Sequence, residues 1–366
     1  GVQRAREQGM TVIIGSFDLN SYSVLIGCLK PQLVLSHYSI HGVELCAQKS
    51  IPFIQVIHNI YMWFDSKQVL EFANAAQKTT VFIAVSEYVK KYSVSRLGVD
   101  NNYCVIIPNG IDGATFDNLN FPEIRHKFRE LHRIDDKDFV FLSVGAVNHQ
   151  KNHIATIRSF ASVATEMPRA KLIILGPMYE INLLNEIQYF VKKNSLNDRI
   201  IYAGSASGAQ KYFAMADAFV LASFFEGGPL VFLEALKANL PIIATNVGFV
   251  SHFKGMPGIT ILQPPVDIME FHGAIWDLAS TPTFEERLAN AMVEIYADPQ
   301  RPNLPANLLQ AFDKSEAYKL YVVLIDELLQ SNDVSNMIFP ASWPNWINEY
   351  IHHKGIETFV SPAVSR

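Results

Sequence analysis

Residues 224–249 read FFEGGPLVFLEALKANLPIIATNVGF, and this stretch decides which fold class the chain can adopt. Two glycines and Pro229 precede helix formers from Leu230 to Lys237, which predicts a turn leading into a helix with proline near its first position. The helix is predicted to stop near Asn239, and PIIATNVG then has the composition of a short buried strand followed by a turn. The stretch therefore predicts part of an α/β protein.

Short apolar runs recur along the chain, with helical segments between them. The runs are TVIIGSF, QLVLSH, PFIQVIHN, TVFIAVS and YCVIIPNG, then FVFLSVGA, AKLIILGP, RIIYAGS, AFVLAS, PIIATNV and ITILQ. Most are unbroken rather than alternating, as in parallel strands that are covered on both faces of the sheet. Strands that alternate with helices form right-handed βαβ crossovers, so the two series predict two Rossmann-like, doubly wound α/β domains that face each other across a cleft.

A charged stretch, RHKFRELHRIDDKD at residues 125–138, separates the two series. We therefore predict an N-terminal domain over residues 1–135 and a C-terminal domain over residues 136–330. The Asp-x-Asp sequence at residues 136–138 is interpreted as solvated, and no metal site is inferred from it. Residues 331–366 are rich in aromatic residues and proline, and we expect this tail to pack back toward the N-terminal domain.

Composition argues against several classes of protein. A net charge of −5 over 366 residues gives no basic footprint, so we expect no nucleic-acid partner. Three cysteines without paired spacing argue against a disulfide framework and favour the reducing cytoplasm. No apolar run approaches the ~20 residues of a membrane span, so a peripheral contact on the cytoplasmic face is the form of membrane association that stays open.

Two loops that lead into helices have the composition of anion sites. In SVGAVNHQKNH, Gly145 ends a strand and Lys151 opens the next helix, which places a positive charge beside accessible backbone. Lysines at helix starts are often only solvated, so this signal is weak by itself. In the opening stretch, the backbone amides expected to face an anion around Pro229 belong to Gly227, Gly228, Leu230 and Val231.

Glu226 and Glu234 flank this second helix start at different depths. Glu234 lies roughly 7–8 Å along the helix axis, about the distance from a diphosphate to the ribose of the same nucleotide. Glu226 precedes the helix, on the side where a group attached to the phosphates must lie. On spacing alone the alternative is equally good, with Glu226 as a helix cap and Glu234 solvated. The apolar neighbours of Glu234 favour a ligand, because a buried unpaired carboxylate is costly.

Weaker candidates lie in the first series of strands. His58 follows the strand of PFIQVIHN and His37 ends QLVLSH, positions from which an imidazole can hydrogen-bond a sugar or act on protons. The alternative for both, and for His41, is a histidine at the edge of the core that the backbone satisfies. Asn109 lies in the turn IIPNGID, which by itself indicates only a loop.

Together these segments resemble the retaining glycosyltransferases of family 4, which have the two-domain GT-B fold. The strongest similarity is YAGSASGAQKYFAMADAFVLASFFEGGPLVFLEALKANLPIIATNVG, which contains the Glu-x7-Glu spacing of that family. Supporting similarities, in the family's order, are IHN, FIAVSEYVKK, VIIPNGID and SVGAVNHQKNH. The resemblance extends from about residue 10 to about residue 330.

The resemblance implies a role for each matching position. Glu226 would contact the hydroxyls of the donor sugar, Glu234 would hold the ribose, and Lys151 would neutralise the departing diphosphate. His58 would reach the sugar from the opposing domain. The remaining donor-binding positions would be Gly145, Asn109, Gly227, Gly228, Pro229, Leu230 and Val231.

The reaction implied by the resemblance is sugar transfer from a nucleotide diphosphate sugar to a hydroxyl of a glycan, a lipid-linked glycan or a protein. The anomeric configuration would be retained, and no metal or further cofactor would be needed. Such an enzyme would build a cell-surface or secreted polysaccharide. The sequence leaves two alternatives open: a nucleotide-sugar epimerase or hydrolase of the same fold, and a catalytically inactive subunit that only binds sugar nucleotides.

Three departures from the family pattern stand out. Ala146 occupies a position where members often have arginine, which removes one expected phosphate contact. Phe249 replaces the second glycine of a VGG sequence and is expected to alter the cleft. The family's first strand and glycine-rich loop have no counterpart before Gly1, so we expect a further segment there or a larger polypeptide.

Overall fold

The computed structural model describes residues 2–7, 9–14, 18–206 and 208–330. Within them the strands are β1 (Val34–His37), β2 (Phe53–Ile57), β3 (Val81–Ala84), β4 (Cys104–Ile106), β5 (Phe139–Val144), β6 (Ala170–Leu175), β7 (Ile200–Gly204), β8 (Ala218–Leu221), β9 (Ile242–Thr245) and β10 (Ile259–Leu262). The helices are α1 (Val2–Glu7), α2 (Leu19–Leu29), α3 (Val43–Gln48), α4 (Ser66–Ala76), α5 (Glu87–Arg96), α6 (Ala114–Asp117), α7 (Phe121–Leu131), α8 (His153–Ser162), α9 (Ile181–Lys193), α10 (Gln210–Met215), α11 (Leu230–Lys237), α12 (Pro282–Ala297), α13 (Ala306–Ala311) and α14 (Lys314–Gln330).

The strands form two parallel sheets, which confirms the predicted α/β class. The first sheet has the order β1-β2-β3-β4 and advances in one direction within the described residues. The second has the order β10-β9-β8-β5-β6-β7. From β5 the chain adds β6 and β7 on one side, and it then crosses back to add β8, β9 and β10 on the other side of β5. We call each sheet with its helices a lobe. The reversal between β5 and β8 is the point where ligands bind in open sheets of this kind.

Burial explains why these segments form strands. Every residue of β2, β3, β8 and β9 is buried, as expected for unbroken apolar runs that are covered on both faces. Burying such side chains is the main favourable contribution to folding, at roughly 25 cal/mol per Å² of apolar surface.

The first predicted strand, TVIIGSF, is wrong in its described part. Residues 11–14 adopt no regular structure, and residues 15–17 lie outside the described residues. Ile13 and Ile14 are 50% and 72% exposed. A strand requires a hydrogen-bonded neighbour, and residues 11–14 pair with no strand in the described part of the chain, so their apolar composition alone does not make them one.

The connection between the lobes is closely packed. The sheets change between Ile106 and Phe139, and α7, in this interval, packs against α10 of the second lobe. Arg129 is 1% exposed, and its guanidinium donates to Asp217 at 2.6 Å. The proposed domain boundary at residue 136 falls within this interval and stays a prediction. The predicted tail at 331–366 lies outside the described residues.

Candidate active site

The reversal between β5 and β8 brings two predicted segments together. Gly145 follows β5, Lys151 precedes α8, and Glu226 lies in the loop between β8 and α11. The two loops are joined by backbone, because the Phe224 amide donates to the Gln150 carbonyl at 2.9 Å. The structure therefore places the glycine–lysine loop beside the glutamate loop.

Glu226 is buried, and both oxygens of its carboxylate accept hydrogen bonds from neighbouring side chains. Its side chain is 8% exposed, and Oε1 accepts from Lys151 Nζ at 2.5 Å and from Ser223 Oγ at 2.7 Å. Oε2 accepts from Gln150 Nε2 at 3.2 Å. A buried carboxylate is tolerated only with such compensation. The prediction that Glu226 merely caps a helix is wrong, because the N-cap of α11 is Pro229.

Glycine at position 145 lets the lysine side chain lie across the end of β5. A Cβ there would lie 3.0 Å from Lys151 Cδ and Cε, tighter than ordinary van der Waals contact. The Lys151 amide donates to Asn148 Oδ1 at 3.1 Å, which anchors the lysine's own backbone. The ammonium group is therefore fixed over the strand end, next to Glu226.

The Gly227–Gly228 turn is held by the first lobe. Ser86, which is fully buried at the start of α5, donates from Oγ to the Gly227 carbonyl at 2.6 Å. Asn109 Nδ2 donates to the Gly228 carbonyl at 3.2 Å. A Cβ on Gly227 would lie 1.9 Å from the His58 carbonyl oxygen, so only glycine fits this contact between the lobes.

The start of α11 has the predicted form. Pro229 is its N-cap, and no side chain in the described ranges caps the helix. The positive end of the helix dipole therefore lies at Leu230 and Val231, directly after the two glycines. Leu230 is 42% exposed, whereas Phe249 is fully buried and packs against Gly228, where a Cβ would lie 3.0 Å from the ring. The departure at Phe249 thus fills the space behind the turn.

Glu234 lies in a different environment from Glu226. It lines an open pocket of about 740 Å³. Of the other predicted donor-binding residues, only Leu230 also lines this pocket. Burial raises the pKa of Glu234 from 4.5 to about 7. Desolvation is the cause of this shift, and among the described residues no partner of the carboxylate offsets it. Asp112 and Lys314, which form an ion pair with each other, also line the pocket.

The predicted histidines of the first lobe form a cluster with each other. His37 Nδ1 and His58 Nε2 are hydrogen-bonded at 2.7 Å. The ring of Tyr38 stacks on that of His58, with the two ring centroids 4.6 Å apart. Burial and the neighbouring His37 lower the pKa of His58 from 6.5 to about 4. The interpretation of His37 and His58 as histidines satisfied only by backbone is therefore wrong. His41 lies apart from this pair. Its ring packs nearly perpendicular to that of Tyr22, with the ring centroids 5.3 Å apart.

Sequence reasoning missed three residues of this region. Ser223 and Gln150 hydrogen-bond Glu226, and Ser86 holds the turn that follows it. Each lies inside a stretch that carries the family resemblance. Their roles depend on which loops meet in space, however, and the local sequence carries no signal for that.

The described residues contain no group of three or more His, Cys, Asp or Glu residues that could hold a metal ion. Asp138 of the Asp-x-Asp sequence is ion-paired with Arg169 at 3.0 Å and Lys171 at 3.7 Å, so its interpretation as a solvated residue is wrong. In the same described residues, no helix is both long and apolar enough to cross a membrane.

Two protein-family models match the chain. The model for glycosyl transferases group 1 matches residues 124–294, and the model for glycosyltransferase family 4 matches residues 15–114. The first match contains Lys151, Glu226 and Glu234, and the second contains His58 and Asn109.

Similar proteins include an uncharacterized glycosyltransferase of Methanocaldococcus jannaschii, 25% identical, with 81% of this chain and 80% of that protein covered. The UDP-Gal:alpha-D-GlcNAc-diphosphoundecaprenol alpha-1,3-galactosyltransferase of Escherichia coli is 28% identical over 57% of this chain and 51% of its own length. The chain thus spans about half of this second relative. The crystal structure of Anabaena HepE with UDP and glucose superposes with a TM-score of 0.64 at 16% identity, covering 84% of this chain and 81% of that one.

Proposed function

The chain belongs to glycosyltransferase family 4 and has the GT-B fold, and we propose that it transfers a sugar from a nucleotide diphosphate sugar to a hydroxyl acceptor. The observation that carries the proposal is the ion pair between partly buried Lys151 and buried Glu226 at the reversal point between β5 and β8. An ammonium, a carboxylate and an uncapped helix start meet there, and each suits a different part of such a donor.

The donor is oriented by charge along this site. Its diphosphate lies near Lys151 and the amides of Leu230 and Val231, where the helix dipole and the ammonium favour negative charge. Glu234 accepts hydrogen bonds from the ribose hydroxyls in its pocket. Its carboxylate is half-buried and has no partner among the described residues, which supports this role. Glu226 and the neighbouring turn then face the sugar.

The transfer step retains the anomeric configuration. The bond between the anomeric carbon and the diphosphate oxygen breaks, the acceptor oxygen bonds to the same face of that carbon, and the acceptor proton passes to the departing diphosphate. Lys151 stabilises the charge that develops on the leaving group, so a resident metal is not required for that task. Glu226 accepts from Lys151, Ser223 and Gln150, which supports a role in holding hydroxyls rather than in nucleophilic attack.

The acceptor is proposed to be a glycan or a lipid-linked sugar. The name of the Escherichia coli relative specifies UDP-Gal as donor and a diphosphoundecaprenol-linked GlcNAc as acceptor. A membrane-anchored acceptor would bring this protein to the cytoplasmic face of a membrane by peripheral contact.

The proposal is tested with the whole chain and a panel of UDP-, GDP- and ADP-sugars. Thermal shift measures binding, and released nucleotide measures cleavage of the donor, with and without sugar acceptors. We expect one nucleotide to raise the melting temperature and its sugar to be transferred. Binding without release would replace the proposal by a binding subunit, release without a new glycoside would replace it by a hydrolase, and the absence of both would overturn it.

A further inference from the structure

Two imidazoles meet where β1 and β2 end. His37 is the last residue of β1 and pairs in register with Val56, and His58 directly follows β2. Their rings meet edge to edge and are nearly coplanar, with centroids 5.0 Å apart and an interplanar angle of 21°, and Nδ1 of His37 lies 2.7 Å from Nε2 of His58. The pair is therefore a direct hydrogen bond between two side chains at the edge that faces the second lobe.

Both rings are neutral at physiological pH. Partial burial lowers the pKa of His37, and burial together with His37 lowers the pKa of His58 to about 4. The other titratable groups of this cluster are the phenols of Tyr38 and Tyr61, whose pKa values burial raises, so they are also uncharged. A hydrogen bond between two neutral imidazoles contains one proton, which makes one ring the donor and the other the acceptor.

The tautomer of His58 decides what the ring can do for a ligand. If His58 Nε2 carries the shared proton, Nδ1 is a free acceptor; if His37 Nδ1 carries it, His58 Nδ1 is a donor. The first arrangement leaves both rings in the Nε2–H tautomer, which neutral histidine prefers in water. Geometry and intrinsic preference therefore favour the same arrangement.

We propose that His37 is a positioning residue that holds His58 in the Nε2–H tautomer, so that His58 Nδ1 accepts a hydrogen bond from a sugar hydroxyl. The proposal rests on the proposed function, which supplies the sugar. The location supports it, because the His58 carbonyl contacts Gly227, the residue after Glu226. Tyr38 stacks on His58 and limits rotation of the ring.

The direct test is nitrogen NMR of the imidazoles in the whole chain. We expect the proton on Nε2 of His58 and a scalar coupling between His37 Nδ1 and His58 Nε2 across the hydrogen bond. His37→Asn keeps an acceptor near the Nδ1 position and should preserve the protected Nε2 proton, whereas His37→Ala should lose it. In His37→Ala the pKa of His58 should also rise from about 4 toward 6.5, because water enters and the neighbouring imidazole is gone.

Kinetics provide the functional readout, measured at pH 8 so that Glu234 is ionised. His37→Ala should lower kcat/KM for transfer about tenfold, the size expected for one hydrogen bond, and His37→Asn should restore most of it. His126→Ala, which removes an exposed histidine of α7, is the matched control and should leave the rate unchanged.

Each outcome bears on one proposal. A proton on His58 Nδ1, no coupling between the rings, or equal rates in His37→Ala and the wild type would overturn the positioning role. Failure of the wild-type chain to bind or cleave any nucleotide sugar would instead overturn the proposed function and, with it, the sugar as the ligand of His58.

Discussion

Glu226 and Glu234 share one sequence pattern and one helix region, yet their surroundings differ completely. Glu226 accepts hydrogen bonds from an ammonium, a hydroxyl and an amide, so its charge is balanced within the protein. Nothing in the described part of the chain compensates for the desolvation of Glu234, and its pKa rises to about 7. The comparison teaches that one carboxylate is built into the site, whereas the other is suited to a partner from outside.

The largest effect is expected from Glu226→Gln. The change removes the charge that positions Lys151 and, as proposed, the sugar. We expect kcat to fall roughly 10²–10³-fold, the range for loss of a preorganised electrostatic contact. Steady-state transfer rates measure it, with Glu286→Gln on the exposed face of α12 as a matched control. Full turnover by Glu226→Gln would show that the charge of Glu226 is not needed in the site, which would contradict the contrast drawn between Glu226 and Glu234.

The second largest effect concerns stability. Lys151→Met leaves Glu226 buried without its cation, and we expect the free energy of unfolding to fall by about 3 kcal/mol. In the double variant Lys151→Met/Glu226→Gln no charge remains unpaired, so about 2 kcal/mol should be regained. Urea unfolding of the four proteins gives the coupling energy; additive losses would show that the pair is not energetically coupled.

The third test uses the pH dependence of Glu234. Because its folded pKa is about 7, the carboxylate, which we propose to accept hydrogen bonds from ribose hydroxyls, is ionised above pH 7 and becomes protonated as the pH falls. Nucleotide affinity of the wild type should therefore weaken below pH 7, whereas Glu234→Gln should bind about tenfold more weakly at pH 8 and lose this pH dependence. Isothermal titration with the preferred nucleoside diphosphate measures both.

The raised pKa of Glu234 affects stability in the opposite direction from nucleotide affinity. The unfolded chain releases the Glu234 proton near pH 4.5 and the folded chain near 7, so the free energy of unfolding falls as the pH rises between these values. Glu234→Gln should remove this contribution, which amounts to at most about 3 kcal/mol. An unchanged pH profile of unfolding in Glu234→Gln would show that the carboxylate has a partner in solution.

The smallest effect is expected at the turn beside Glu226. Ser86→Ala removes the hydrogen bond to the Gly227 carbonyl, and we expect a loss of about 1–2 kcal/mol in stability and a several-fold lower kcat. Ser95→Ala, on the exposed side of the same helix, is the control. Equal behaviour of the two variants would indicate that the Ser86 hydrogen bond does not support the turn.

Much of the fold could be predicted from sequence because the signals are local. Unbroken apolar runs predicted all of β1–β10, and glycine, proline and spacing located α11 and both glutamates. The partners of Glu226 could not be predicted, since Lys151 is 75 residues away in sequence and Ser86 lies 141 residues from Gly227. The failed strand at residues 11–14 has the same cause, because pairing depends on a neighbour that composition does not reveal.

The contacts of Ser86, Asn109 and the His58 carbonyl with the Gly227–Gly228 turn also bear on engineering. Exchanging the first half of the chain for that of a relative would also exchange the side chains that hold the Gly227–Gly228 turn. If this turn holds the donor as proposed, chimeras should keep donor turnover only when Ser86 and Asn109 are transplanted back, because any residue at position 58 supplies the backbone carbonyl.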